Sequence, residues 1–384
     1  MIPKGSLVPR SPDEPHRVST PLELLFDLVF VIAIAAAGAG LHHAISEGHA
    51  ADGIQRYLRT FFAIWWAWMN FTWYASAYDS DDRAYRLAVF VQLSGALIVA
   101  AGVPSAFKSN DLAIITSGYV VMRLAMVTQW VRAGVADPAR RVTAFRYAIG
   151  VALVQVGWLS LLLVPPAWRL VGFAVFGLGE LAVPVWAERA GGTTWHPHHI
   201  AERYGLFTII VLGETILAAS IAIQVVIDAG SLSGPLVAII VGGLLIVLAL
   251  WWLYFDDPGH HPSTSLVHGF AWGYGHYFVF AAAAAVGAGI AVAVDHASGQ
   301  AAVSSARAGM AVAVPVAIYL VSLWSLRRLS SRARGRPSPI GLAVAAAVLI
   351  TPFFPQPVLS IGLLLVGFLI WKATGRETVA PTDR

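Results

Sequence analysis

The chain has 384 residues, of which 58% are hydrophobic and 12% are charged, and its mean hydropathy is +0.70. Soluble domains carry about 25% charged residues, so this composition excludes a soluble globular protein. The formal net charge of +4 does not indicate nucleic-acid binding, because the basic residues lie in loops between apolar runs. The chain has no cysteine, which excludes disulfides and thiolate metal sites.

Apolar runs of membrane-spanning length recur along the whole chain. They predict an all-α polytopic membrane protein with about 12 transmembrane helices. The predicted spans lie near residues 22–44, 55–78, 84–104, 111–131, 142–164, 167–187, 200–227, 234–255, 266–294, 306–326, 338–353 and 355–373. Residues 1–20 are expected to form a cytoplasmic arm and 375–384 a cytoplasmic tail. Pro352, Pro355 and Pro357 leave little room for a connection between the last two spans, so one tight helical hairpin is the alternative to two separate spans.

The loop charges predict the orientation of the chain. When successive loops are assigned to alternate sides, most of the 25 Lys and Arg residues fall on the side of the N-terminus. This asymmetry places both termini in the cytoplasm and favours an even number of spans.

The sequence also indicates an internal duplication, with six-helix repeats at 21–190 and 191–374. Glu23 and Glu202 lead corresponding spans 179 residues apart, and the segments Trp73–Asp79 and Trp251–Asp257 are 178 residues apart. Six spans per copy would give parallel repeats. Chance similarity between apolar helices with aromatic ends is the alternative.

Three ionisable residues lie deep inside predicted spans. Glu214 is near the middle of its span, where a carboxylate costs at least about 2.5 kcal/mol, so we expect a titrating acid; a structural acid is the alternative. Glu180 lies nearer the cytoplasmic end of its span, and for it the structural role is favoured. Arg123 requires a counter-ion, and Glu214 and Glu180 are the candidates.

Glu23 and Asp27 are four residues apart and therefore share one face of the first helix. Glu23 lies in the first turn, where the helix dipole favours negative charge, so it is either a charged helix start or a functional acid. Asp27 is one turn deeper and predicts a partner or a water-filled path. His276, inside the ninth span, is either a proton relay or a hydrogen-bonded core histidine.

Three histidine pairs occur at His42–His43, His198–His199 and His260–His261. Adjacent histidines on a helix point about 100° apart and chelate poorly, and the first pair falls on the outer side, so no site can use all three. A cytoplasmic site built from the other two pairs with Asp256 or Asp257 is a minor alternative. We expect no metal, no cofactor and no enzyme activity, since no phosphate-binding loop, GxSxG or HExxH motif is present.

Polar amides inside predicted spans are expected to hold helices together. They are Asn70, Gln92, Gln129 and Gln155.

The stretch LELLFDLVFVIAIA, followed by His42–His43, resembles the opening of the low-temperature-requirement A (LtrA) family. HHIAERYGLFTIIVLGETI, from His198 to Ile216, is similar to that family's second signature almost residue for residue. The resemblance implies a multispanning protein of the bacterial plasma (inner) membrane. The residues that occupy the family's characteristic positions are Glu23, Asp27, His199, Glu202, Arg203, Gly213 and Glu214.

The segment Phe26–Ile34 also resembles the first helix of the endolysosomal potassium channel family, although the serine of that family's FSD-type motif is absent.

These features predict a proton-linked secondary transporter of unknown substrate, with Glu214 as titrating acid and Arg123, Asp27 and His276 as its partners or relay. The alternative is a cation channel lined by the first and seventh helices, with Val31–Ile34 as a constriction. An intramembrane enzyme or a metal-site protein is a third reading. The expected partners are the lipid bilayer and a proton, cation or small solute, with no nucleic acid; a homo-oligomer is left open.

Overall fold

The computed structural model describes residues 7, 9–11, 14, 17–228, 230, 233–256, 265–330 and 337–377. It is 85% helix, and the described residues contain no strand. Ten helices among them are long and apolar enough to cross a membrane. The helices are α1 Pro21–Ser46, α2 Ala50–Tyr78, α3 Arg83–Ser109, α4 Ala113–Ala136, α5 Arg141–Ser160, α6 Arg169–Glu188, α7 Pro197–Asp228, α8 Gly234–Phe255, α9 Leu266–Ala297, α10 Ser305–Ser330, α11 Ile340–Val348 and α12 Pro357–Glu377.

A helix lies at each predicted span, and most of the bounds agree within a few residues. Two helices fall outside the ten apolar candidates. In α2, many Trp and Tyr side chains and Asn70 lower the hydropathy below that of an ordinary span. In α11, the helix is short and is followed by a 3-10 turn at Thr351–Phe353, where Pro352 cannot continue an α-helix. The last two predicted spans thus correspond to two helices, α11 and α12, of which α11 is short.

The chain divides into two compact units. The first comprises the described residues up to 37, those from 58 to 204, and 265–266; the second comprises 38–57, 205–256 and 267–377. The helices α1, α2 and α7 each contribute residues to both units, and the predicted repeats at 21–190 and 191–374 stay predictions.

The first unit has an aromatic core supplied largely by α2. Trp65, Trp66 and Trp68 are almost fully buried in it. Further along the unit, α3, α4, α5 and α6 pack in sequence, each against the next. The approach of α3 to α4 requires small residues, since a Cβ on Gly95 would lie 2.7 Å from the carbonyl oxygen of Gly118. Close approach through small residues is characteristic of helix packing in membranes.

The second unit is held together in the same way. A Cβ on Gly242 of α8 would lie 2.5 Å from the backbone nitrogen of Leu359 in α12. A Cβ on Gly289 of α9 would lie 2.1 Å from the carbonyl oxygen of Ala311 in α10. In both places backbone meets backbone, so the glycines fix the distances between these helices.

Candidate functional site

The helices α1 and α7 begin in the same manner. Thr20 caps α1: its hydroxyl accepts from the backbone N–H of Glu23 at 3.3 Å, and its own N–H donates to the Glu23 carboxylate at 2.8 Å. This reciprocal pair is a capping box. At α7, the His196 ring nitrogen accepts from the backbone N–H of His199 at 3.2 Å. Proline is the first residue of each helix, as its fixed φ favours.

This shared start sets charged side chains in matching positions. Glu23 and Asp27 are the third and seventh residues of α1, and His199 and Arg203 are the third and seventh of α7. A spacing of four residues puts each pair on one face of its helix. All four side chains have 0% of their surface exposed. We call these four residues the acid–arginine cluster.

Arg203 lies between the two acids of the cluster. Its guanidinium is 2.5 Å from Asp27 Oδ1 and 3.4 Å from Glu23 Oε1. His199 Nε2 lies 3.2 Å from the same Glu23 oxygen. The Trp68 indole donates to Asp27 Oδ1 at 2.7 Å. Glu23 Oε1 and Asp27 Oδ2 have no hydrogen-bond partner among the described residues, but Glu23 Oε1 has the His199 and Arg203 nitrogens nearby.

Aromatic rings line the cluster on α1 and α2. Phe26 stacks on Phe71 with ring centroids 3.9 Å apart and on Phe30 at 4.6 Å. The Trp68 ring meets Tyr204 edge to face at 5.0 Å. These rings exclude water from the starts of both helices, which explains how residues at the ends of helices become fully buried.

Arg17 and Asp79 are the next charged groups and lie outside the predicted spans. Arg17 is 6% exposed, and its guanidinium donates to the Ala75 carbonyl at 2.9 Å; burial lowers its pKa. Asp79 is 4% exposed. Burial and, to a smaller extent, the Glu23 carboxylate raise the pKa of Asp79 to about 6, although Arg17 opposes that shift.

A second buried ion pair joins α4 to α6. Arg123 lies 3.2 Å from Glu180, and both side chains are almost fully buried. Glu180 also accepts from the indoles of Trp66 at 2.8 Å and Trp158 at 3.1 Å, and from the Tyr119 hydroxyl at 3.2 Å. Arg123 also donates to the Tyr119 hydroxyl. Glu180 is therefore the counter-ion of Arg123, and Pro184 leaves α6 unbroken beside it.

His276 is a hydrogen-bonded core histidine in the second unit. Its Nδ1 lies 2.8 Å from the Trp272 carbonyl, which fixes Nδ1 as the donor. Nε2 then accepts from the Tyr254 hydroxyl at 3.1 Å. Sequence reasoning grouped Arg123, Asp27 and His276 around Glu214, but each of the three has a different partner within its own unit.

Glu214 and Gly213 lie on an accessible side of α7. Glu214 is half-buried and Gly213 is exposed, with nothing within 4 Å of a Cβ built on it. Thr215, the next residue, is buried and donates to the carbonyls of Val211 and Ala283. Glu202 is partly exposed and accepts from the backbone N–H of Ser19 at 3.2 Å.

Of the polar amides, Gln92 donates to Gln129 at 2.8 Å across α3 and α4, as interhelical contacts should. Asn70 bonds within its own helix to the Trp66 carbonyl. Gln155 is buried, and neither of its amide atoms has a hydrogen-bond partner among the described residues.

The histidine pairs do not assemble a metal centre in the described part of the chain, where no group of three or more metal-ligating side chains is found. His42 pairs instead with Asp295 at 2.7 Å. His260, His261 and Asp257, which the cytoplasmic metal alternative requires, lie outside the described residues.

Sequence reasoning named every member of the acid–arginine cluster but not their pairing. His199 and Arg203 entered only as family-motif positions, and Trp68, Tyr119 and Trp158 were missed. The sequence does contain a signal for this pairing. The third and seventh residues of α1 are acids, and the third and seventh residues of α7, which also begins with proline, are a histidine and an arginine.

Ten helices of membrane-spanning length and composition, with ion pairs buried between helices, define a multi-pass helical membrane protein. The family model described as "Bacterial low temperature requirement A protein (LtrA)" matches residues 18–371, nearly the whole chain. The chain therefore belongs to the LtrA family, as its two motifs predicted.

The chain is 29% identical over 272 residues to the uncharacterized protein RA0937 of Rhizobium meliloti (strain 1021). The alignment covers 66% of this chain and 64% of that relative, so it spans less than two thirds of the relative's own length. No solved structure matches.

Proposed function

We propose that this protein is a proton-linked secondary transporter of the bacterial plasma membrane, and that the acid–arginine cluster carries the coupled proton. The proposal includes the predicted topology of about 12 spans in two parallel six-helix repeats with both termini in the cytoplasm. The observation that supports this proposal is the charge balance of the cluster. Glu214 is a second acid in the proposed mechanism, and it is accessible whereas the cluster is buried.

The cluster holds one negative charge in excess. Within the described residues, Arg203 is the one positive charge paired with Glu23 and Asp27 when His199 is neutral. The next charged groups, Arg17 and Asp79, cancel one another and leave the excess unchanged. An uncompensated buried charge costs several kcal/mol, so the closed cluster is stable only with one more positive charge. A proton supplies that charge.

A proton suits this site better than a metal cation. The Arg203 guanidinium stands beside both acids and repels any second cation. Metal ions such as Ca²⁺ take about six to eight oxygen ligands, whereas the cluster has two carboxylate oxygens without a hydrogen bond among the described residues, Glu23 Oε1 and Asp27 Oδ2. Glu23 Oε1 already faces His199 and Arg203. A proton requires a single oxygen. Its place is therefore Asp27 Oδ2, with His199 beside Glu23 as the other acceptor in the cluster.

Such a cluster can couple a proton to a change of helix packing. When Asp27 loses this proton, the buried excess negative charge is again unbalanced, which favours a looser packing of α1 against α7. Arg203 and Glu214 lie on the same continuous helix, eleven residues or about 16 Å apart. A shift of α7 at Arg203 thus reaches Glu214, whose half-exposed carboxyl is accessible to a proton or a solute. Buried acids of this kind mark proton relays in transporters.

The test is proton flux in proteoliposomes that enclose a pH-sensitive dye, under imposed proton gradients and potassium diffusion potentials. We expect flux in the wild type, acceleration by a transported solute, and loss of flux in Asp27→Asn and Glu214→Gln. Glu180→Gln is the matched control, since it also removes one buried carboxylate that faces an arginine.

The control should retain its flux per folded molecule. An equal loss of proton flux in Asp27→Asn and Glu180→Gln would show that the cluster is only a structural ion pair. A large passive potassium flux without proton movement would instead support the cation channel.

A further inference from the structure

Three buried polar groups lie on the cytoplasmic side of the acid–arginine cluster. Asp79 follows the end of α2, Tyr85 is in the first turn of α3, and Arg17 belongs to the N-terminal arm. Each is at most 6% exposed. The Tyr85 hydroxyl and Arg17 Nε have no hydrogen-bond partner among the described residues. A buried hydroxyl without a partner costs about 1–3 kcal/mol, so its retention here calls for a reason.

The Tyr85 hydroxyl lies within the electrostatic influence of acids on both α1 and the end of α2. Both Asp79 and Glu23 lie near enough to act on it electrostatically, and so does Arg203. Its ring lies 6.4 Å from Phe71, which in turn stacks on Phe26 of α1. The α3 start is therefore packed toward the cluster rather than toward the surface.

We infer that Asp79 and Tyr85 form the cytoplasmic entrance through which a proton reaches the acid–arginine cluster. The inference rests on the proposed function for the use of that proton. It assigns a role to two residues that lie outside the cluster itself.

The loop around Asp79 provides the connection to water. Asp81 is exposed and pairs with Arg86, and Asp82 accepts from the backbone N–H of Tyr85 at 2.9 Å. Asp79 itself accepts from the Asp81 N–H at 3.1 Å. Asp79 is thus the first buried acid behind a solvated turn. Burial raises its pKa to about 6, which lets it take up and release a proton near neutral pH.

The transfer conserves protons at each group. A protonated Asp79 gives its proton to the Tyr85 oxygen, which releases its own proton to Glu23 and so becomes a hydroxyl again. One water on each side bridges the gaps, because the hydroxyl has no partner within hydrogen-bonding distance. Glu23 then passes the proton toward His199 or Asp27. Arg17 and Arg10 face Asp79 from the arm and favour its return to the carboxylate.

The experiment is a rapid pH jump on the purified full-length protein, followed by time-resolved infrared detection of the carboxyl signal that Asp27→Asn abolishes. We expect Asp79→Asn and Tyr85→Phe to slow its appearance at least about tenfold, with the final amplitude unchanged. Asp81→Asn is the matched control, since it alters an acid two residues away that is exposed and should leave the rate unchanged.

An unchanged final amplitude shows that each variant is folded and that its cluster still binds the proton. Tyr85→Phe removes a single oxygen and carries the test if Asp79→Asn is unstable. Wild-type rates in both variants would overturn the inference. If the wild type shows the infrared signal but no proton flux in liposomes, the proposed transporter is refuted and the proposed entrance is not. If the wild type shows no infrared signal that depends on Asp27, both proposals are overturned.

Discussion

Arg203→Gln should destabilise the protein strongly, because Arg203 is the arginine that pairs with both acids of the cluster in the described part of the chain. Glu23 and Asp27 are fully buried and lie 3.4 and 2.5 Å from its guanidinium. At an effective dielectric constant of about 20, a pair of charges about 4 Å apart attracts by about 4 kcal/mol. Measured losses on breaking a buried pair are about 3–5 kcal/mol. At about 2 °C per kcal/mol, Tm should fall by about 6–10 °C.

The assay is thermal unfolding of the detergent-purified protein. Asp27→Asn added to Arg203→Gln should restore more than half of the loss, since Glu23 then faces His199 alone. The Arg123–Glu180 pair supplies the crossed control. Arg123→Gln should be rescued by Glu180→Gln and not by Asp27→Asn. Equal rescue of both arginine variants by Asp27→Asn, or no loss in Arg203→Gln, would refute the reasoning.

Two further predictions concern stability. The pKa of Asp79 is raised from 3.8 to about 6, so the folded state binds its proton more tightly, and stability should fall as pH rises from about 4 to 6. Between pH 5 and pH 8 this fall should be about 1.4 kcal/mol, and Asp79→Asn should remove it in unfolding measurements at these two pH values. An equal effect at both pH values would contradict this. Gly289→Ala would place a Cβ 2.1 Å from the Ala311 carbonyl oxygen and should lower the free energy of unfolding by about 1–3 kcal/mol. Gly213→Ala, which has open space around the new Cβ, should leave it unchanged. The same Tm for both variants would disprove the packing argument.

Most of the helical fold could be predicted from the sequence, because the length and hydropathy of a span are local properties. The predicted span 234–255 coincides with α8, and 167–187 differs from α6 by two residues at the start and one at the end. The exceptions have local causes. The first turn of α2, which begins at Ala50, was missed because it carries Asp52 and Gly53, and Pro352 shortens α11.

The site was harder to predict, because depth in the membrane is not the same as burial in the protein. Glu214 is in mid-span yet half-exposed, whereas Glu23 is in a first turn yet fully buried. The burial of Glu23 comes from α2 and α7, which approach from distant parts of the sequence. The pairing of Asp27 with Arg203 likewise joins residues 176 positions apart, and hydropathy patterns hold no information about that distance.

The central claim is that the acid–arginine cluster holds one exchangeable proton. Its most direct measurement is equilibrium infrared titration of the purified protein, which detects the C=O stretch of a protonated carboxyl group. The account predicts one such signal that disappears reversibly as pH rises, is absent in Asp27→Asn and persists in Glu180→Gln. A spectrum that is the same in wild type and Asp27→Asn at every pH would contradict it.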